Sequence, residues 1–93
     1  MVIINVGLKI KTEKEEAYLQ FVADMVQNSR KDRGCLPYHH FRDVENSNEF
    51  IIVENWLDMD CVEEHNNTDH FKLFLEKIPE YLVEDIVLNL CQN

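Results

Sequence analysis

Four histidines, one tryptophan and a carboxylate set inside an apolar run are the residues of this chain best suited to chemistry. His65 and His70 lie five positions apart across the Asn66-Asn67 pair, and His39 and His40 follow Tyr38. Histidine is the side chain whose ordinary pKa lies closest to neutrality, so a histidine beside a pocket can move a proton. Glu54 and Asn55 interrupt the apolar stretch Phe50–Trp56. A carboxylate there is either a hydrogen-bonded brace for the layer above it or a base. Trp56 is either core or the wall on which a flat ligand stacks. Asn5 and Asn55 either satisfy neighbouring backbone groups or polarise a substrate oxygen. For Asn55, on the face opposite Glu54, a structural or interface role leads. Successive strand residues face opposite ways, so only one of His39 and His40 can share a pocket with Tyr38. His65 and His70 do not have the i, i+4 spacing of a helical metal pair, and no carboxylate at a fitting spacing completes a site. No metal is expected.

These side chains must be held by regular elements, and with only two glycines and two prolines most of the chain can form them. From Val2 to Ile10 the residues alternate, with Ile4, Val6, Leu8 and Ile10 on one side, which predicts a strand. Thr12-x-x-Glu15 matches a capping box, so a helix is expected from Thr12. Its apolar stripe is Tyr18, Phe21, Val22, Met25 and Val26, continued by Ser29, and Gly34 stops it in a left-handed conformation. A second strand is expected over about Leu36–Val44, a polar turn at Glu45–Asn48, and a third strand over Glu49–Leu57. Asp58 caps a short helix ending near His65. Thr68 caps another with the stripe Phe71, Phe74, Leu75 and Ile78, and Pro79 falls near its end. A last strand is expected around Ile86–Leu90. The order β-α-β-β-α-β predicts an α+β, ferredoxin-like antiparallel sheet with its helices on one face, as a single domain over 1–93. Both faces of the third strand are apolar, however, and Ile3 lies on the second face of the first strand. The uncovered side of such a sheet should be polar. We therefore expect a homodimer whose sheets pack together.

Composition narrows the partners. The chain has 18 Asp+Glu against 9 Lys+Arg, a net charge of −9. A nucleic-acid binder needs a basic patch to neutralise phosphates, and an anionic membrane surface selects against the same acidity. No nucleic acid and no membrane is expected as a partner. Cys35, Cys61 and Cys91 form no C-x-x-C pair and are too scattered for a disulfide framework. Together with strand-like sequence directly after Met1 in place of a leader, they point to a cytoplasmic protein. There is no G-x-G-x-x-G, no phosphate loop and no G-x-S-x-G elbow.

Four segments carry a resemblance: Gly34-Cys35-Leu36-x-Tyr38; Phe41-Arg42-Asp43; Asn48-Glu49-Phe50-Ile51-Ile52-Val53-Glu54-Asn55-Trp56; and Glu64-His65-x-x-Thr68-x-His70-Phe71. In this order and spacing the chain resembles the antibiotic biosynthesis monooxygenase (ABM) family over essentially its full length. The resemblance implies a dimeric α+β barrel and, in many members, oxidation of a quinol, phenol or polyketide-like aromatic substrate by O₂ without metal, flavin or haem. No cofactor is expected. Carried over by position, it implies a catalytic set of His65, His70 and Glu54, in which His65 or His70 handles protons and Glu54 holds a histidine or the helix in place. Asn5, Tyr38, Trp56 and Phe71 would bind substrate. A second branch, similar to an isomerase of phosphorylated autoinducer-2, shares His65, Thr68, His70, Phe71 and Lys72. A third, haem-degrading branch has its histidine ligand where this chain has Leu75. A small-ligand-binding dimer without turnover is the remaining alternative.

Overall fold

Val2, Ile4, Val6 and Leu8 all point to one side of the first strand, and all are buried. That single alternating face builds the core, in a computed structural model that describes residues 1–93. The first strand, β1 (Val2–Lys9), is followed by one 3₁₀ turn over Thr12–Lys14 and then by helix α1 (Glu15–Ser29). Strand β2 (Cys35–Arg42) and strand β3 (Glu49–Trp56) form a hairpin. Helices α2 (Met59–Asn66) and α3 (Asp69–Lys77) come next, then a 3₁₀ turn over Ile78–Glu80 and strand β4 (Val87–Gln92). The sheet order is β2-β3-β1-β4, with every neighbouring pair antiparallel. This is the expected α+β, ferredoxin-like arrangement, with the second helical position filled by the α2–α3 pair. No helix is long and apolar enough to cross a membrane.

The helices sit where their stripes require. Tyr18, Val22, Met25, Val26 and Ser29 of α1 are buried against the sheet, and Phe21 lies partly covered between Phe74 and Tyr81. Asp58 caps α2 by accepting from the Cys61 amide at 2.9 Å, and Thr68 Oγ1 caps α3 by accepting from the Phe71 amide at 3.3 Å. Each cap satisfies an amide that has no partner within the helix.

Several local expectations need correction. The Thr12-x-x-Glu15 pair forms no side-chain cap, because Thr12 enters a 3₁₀ turn and the helix proper begins at Glu15. Gly34 does hold a left-handed φ of +75°, but it lies beyond a turn that follows the helix end at Ser29. It serves the entry to β2: a Cβ there would lie 2.8 Å from Cys61 Cβ and closer still to Cys61 Sγ. Leu75 is exposed rather than part of the core stripe of α3, where Phe74 is buried and Ile78 follows it. Strand β4 is exposed along its whole length, including Leu88 and Leu90, which share the helix-side face with Val6 and Ile4. The helices stop short of this edge.

Candidate active site

An apolar sheet face uncovered at one edge, beside two short helices, makes a cavity. It has a volume of about 180 Å³, and seven of its nine lining residues are apolar. Ile4 and Val6 of β1, Met59, Val62 and Asn66 of α2, Phe71 of α3, and Leu88 and Leu90 of β4 surround Glu54 of β3. The strand register brings the sheet members together, because Ile4 pairs with Glu54 on one side and with Leu90 on the other. A larger groove of about 300 Å³ lies beside Arg42, Asp43, Glu49, Phe50 and Ile51. It is an open surface beside the Arg42–Glu15 ion pair and holds no buried titratable group.

Glu54 is the polar centre of the smaller cavity. It is 4% exposed, and Trp56 Nε1–H donates to its Oε1 at 2.9 Å. No protein group bonds Oε2, which is left to the cavity. Burial disfavours the charged form and pushes the Glu54 carboxyl up from 4.5 to about 7, against the smaller opposing effect of the Trp56 hydrogen bond. A carboxyl that titrates near neutrality can accept or donate a proton under ordinary conditions.

Behind the cavity stands an aromatic wall. Phe71 lines the cavity and meets His65, with ring centroids 4.9 Å apart. His65 in turn lies 4.6 Å from Trp56, and Tyr38 meets Trp56 edge-on at 6.2 Å. Trp56, Tyr38 and His65 are almost completely buried, and none of them lines the cavity. Tyr38 donates its hydroxyl to Met25 Sδ at 3.3 Å. Tyr38 and Trp56 therefore support the site from within the core.

The two histidines meet on a residue that the sequence did not single out. His65 Nδ1–H donates to Asp32 Oδ2 at 2.7 Å, and His70 Nε2–H donates to the same oxygen at 2.8 Å. A carboxylate does stand at this pair: it comes from the α1–β2 connection, 33 and 38 residues away from its partners. His65 Nε2 is buried with no partner, and burial holds the His65 imidazole below its ordinary pKa. His70 lines a separate small cleft between α1 and α3 with Phe21, Asp24, Met25, Asn28 and Leu73.

Of the residues expected at the site, the structure brings Glu54 and Phe71 into one cavity and sets Trp56, Tyr38 and His65 directly behind it. His70 is on the far side of Asp32. Asn5 is on the other face of the sheet, as the odd positions of β1 must be, and does not share the cavity with Glu54. Asn55 is also on that face and donates to the Pro37 carbonyl at 2.8 Å. His40 shares the inner face with Tyr38 but is hydrogen-bonded through Nε2 to the buried Tyr18 hydroxyl at 2.7 Å. Sequence reasoning missed Asp32, Met59, Asn66 and the two leucines of β4. Spacing carries no signal for Asp32, but the β4 leucines alternate in phase with Ile4 and Val6 and could have been paired with them.

A four-stranded antiparallel sheet with helices on one face and one buried carboxyl in an apolar cavity defines a small ferredoxin-like α+β protein. The antibiotic biosynthesis monooxygenase family model matches residues 1–77, and the chain belongs to that family. Among its relatives is "Putative monooxygenase YcnE" of Bacillus subtilis (strain 168), 35% identical over 82 residues, which covers 88% of this chain and 86% of the relative. Among solved structures, an antibiotic biosynthesis monooxygenase superposes with a TM-score of 0.92 at 25% identity, covering 100% of this chain and 98% of that one. A conserved protein from Methanosarcina mazei Go1 shares the fold with a TM-score of 0.94 at 22% identity, covering 99% and 91%. The family match ends before β4, so Leu88 and Leu90 come from outside the matched span.

Proposed function

We propose that the protein is a monooxygenase that oxidises a small, electron-rich phenol, quinol or anthrone-type ring with O₂, using Glu54 as the base. The observation that carries this reading is the Glu54 carboxyl, buried at the foot of an apolar cavity with Oε2 unbonded by protein. Drug-sized ligands occupy cavities of roughly 300–1,000 Å³. At about 180 Å³, this one suits a compact substrate.

Glu54 takes the proton of the substrate, and the carbanion or phenolate that remains is electron-rich enough to reduce O₂ itself. For an anthrone-type methylene the balance is CH₂ + O₂ → C=O + H₂O. One oxygen atom ends on carbon and the other leaves as water, carrying both hydrogens. Apolar walls exclude water from the anion and from the reduced oxygen species. The protein's share is to remove the proton, to hold the ring against Phe71 and the β4 leucines, and to keep the site dry.

The same base could serve an isomerase that moves a proton beside a carbonyl. The absence of any lysine or arginine among the lining residues argues against a phosphorylated substrate, and Lys72 is exposed outside the cavity. A homodimer through the sheet faces belongs to the same proposal. Phe41 and Val87 are 51% and 61% exposed on the outer face, Ile3, Ile51 and Val53 are half-buried there, and Asn5 Oδ1 is buried without a partner.

O₂ consumption measured against a panel of hydroquinones and anthrones tests the catalytic reading. We expect uptake with at least one of them, falling by about 10²–10⁴-fold in Glu54→Gln, the range that loss of an acid–base group commonly costs. Uptake no greater than the buffer control across the panel, or uptake undiminished in Glu54→Gln, overturns it.

A further inference from the structure

Asp32, His65 and His70 are the one cluster of metal-ligating side chains outside the cavity. The geometry points to a binding site for one divalent transition cation of the zinc class at this cluster, with Asp32 Oδ2, His65 Nδ1 and His70 Nε2 as its protein ligands. The three donor atoms lie within 4.8 Å of one another, and two of the separations are 2.7 and 2.8 Å. Ligand bonds of ~2.0–2.1 Å in a tetrahedral site hold donors roughly 3.3 Å apart. An ion therefore enters if each histidine retreats from Asp32 by about half an ångström and the two histidine nitrogens, which lie within 4.8 Å of each other, swing together to about the same spacing. Two imidazoles and one carboxylate form a donor set that suits zinc, with water in the fourth position.

Three further observations favour a cation here. First, the ligands come from three different segments: the α1–β2 connection, the last turn of α2 and the first turn of α3. One ion would thus tie together three pieces that are separate in the sequence. Second, the arginines beside Asp32 are turned to other partners. Arg30 Nε donates to the Tyr38 carbonyl at 3.0 Å, and Arg33 pairs with Glu64 at 2.8 Å, so neither compensates Asp32. Third, the present tautomer leaves His65 Nε2 as a buried lone pair without a donor. An ion on Nδ1 moves the proton to Nε2. The rings of Trp56, Tyr38 and Phe71 surround this imidazole, and aromatic faces accept N–H weakly.

The site is separate from the proposed chemistry at Glu54, and its test needs no activity. Full-length protein freed of metal with EDTA is titrated with Zn²⁺ by calorimetry, and its thermal midpoint is read with and without Zn²⁺. We expect one Zn²⁺ per chain at micromolar affinity or better, with a rise in the midpoint. Asp32→Asn and His70→Ala, both at partly exposed positions, should weaken binding by at least the ~10–100-fold that loss of even an outer-shell partner costs. His39→Ala, on the opposite sheet face, should bind as the parent does. The Co²⁺ form should show visible d–d bands without a thiolate charge-transfer band, which sets this site apart from one built on Cys35 or Cys91. No saturable binding at 100-fold excess Zn²⁺, affinity unchanged in both ligand variants, or a thiolate band in the Co²⁺ form overturns the proposal.

Discussion

Trp56 Nε1 donates to Glu54 Oε1 across 2.9 Å, between two residues on the same face of one strand. A single neutral donor is all the protein gives this carboxyl, and it does not offset the loss of water around a group that is 4% exposed. That imbalance, rather than any neighbouring charge, raises the Glu54 pKa and makes the shift measurable through folding.

The first prediction concerns stability against pH. The Glu54 pKa is raised from 4.5 to about 7 on folding. Across that window the folded chain keeps a proton that the unfolded chain gives up, so this group stabilises the fold most at the acid end. Its contribution falls as pH rises through the window and is constant above it. The loss corresponds to on the order of 3 kcal/mol. Urea unfolding of the wild type and Glu54→Gln, compared pairwise from pH 4.5 to 8, isolates this group from the other acids. The wild type should lose stability relative to the variant as pH rises, and a flat difference would show that Glu54 titrates as an ordinary carboxyl.

A second prediction moves from folding to turnover. A base must be ionised to act, so kcat/KM should rise with pH and level off above a midpoint near the Glu54 value of about 7. The Trp56 hydrogen bond favours the ionised form, and Trp56→Phe removes it. The rising limb should therefore move to higher pH in Trp56→Phe. A limb that stays put or moves to lower pH assigns the base to another group.

How far the sequence alone reaches can be seen in these same residues. The two-residue period of β1 and β3 is a local property, and it correctly put Val6, Ile52 and Trp56 on the inner face, while the caps Asp58 and Thr68 are written within four residues of the amides they satisfy. The cavity is not local: Ile4, Glu54, Met59, Phe71 and Leu90 meet only after the sheet has formed in a particular order. The family resemblance, carried over by position, sets Asn5 with Tyr38 and Trp56, yet the strand period that identifies β1 places Asn5 on the opposite face from Ile4. Asp32 lies in the run Arg30-Lys31-Asp32-Arg33, where its composition suggests only a solvated helix end. Its role is visible once the chain brings it against His65 and His70.

The third prediction is structural. Gly34 combines a φ of +75° with a contact that leaves no room for a side chain beside Cys61. Gly34→Ala pays for the left-handed conformation, roughly 1–2 kcal/mol, and adds a clash with the Cys61 side chain. Chemical denaturation should show a loss larger than the conformational cost alone. Cys61→Ala is expected to be destabilising by itself but to relieve part of the clash, so the double variant should be more stable than the sum of the two single losses implies. Simple additivity would mean that Cys61 is not what restricts position 34.

The last prediction tests the outer face of the sheet. Val53 lies near the middle of β3, flanked by Asn5 on β1 and His39 on β2, on the side that no helix covers. If two copies bury this face against each other about a two-fold axis, any substitution there enters the interface twice. Val53→Glu would then place two carboxylates in an apolar contact, where each loses its water and repels the other. In a monomer the same side chain would stand on an open face and cost little. The wild type should sediment at twice its chain mass of 11.1 kDa, and Val53→Glu at that single mass with its far-ultraviolet circular dichroism retained. Val6→Glu, on the inner face, should instead unfold the chain, because Val6 is 5% exposed in the core. A wild type that sediments as a single chain at micromolar concentration, or a folded Val53→Glu that remains paired, would remove the sheet face as the contact surface.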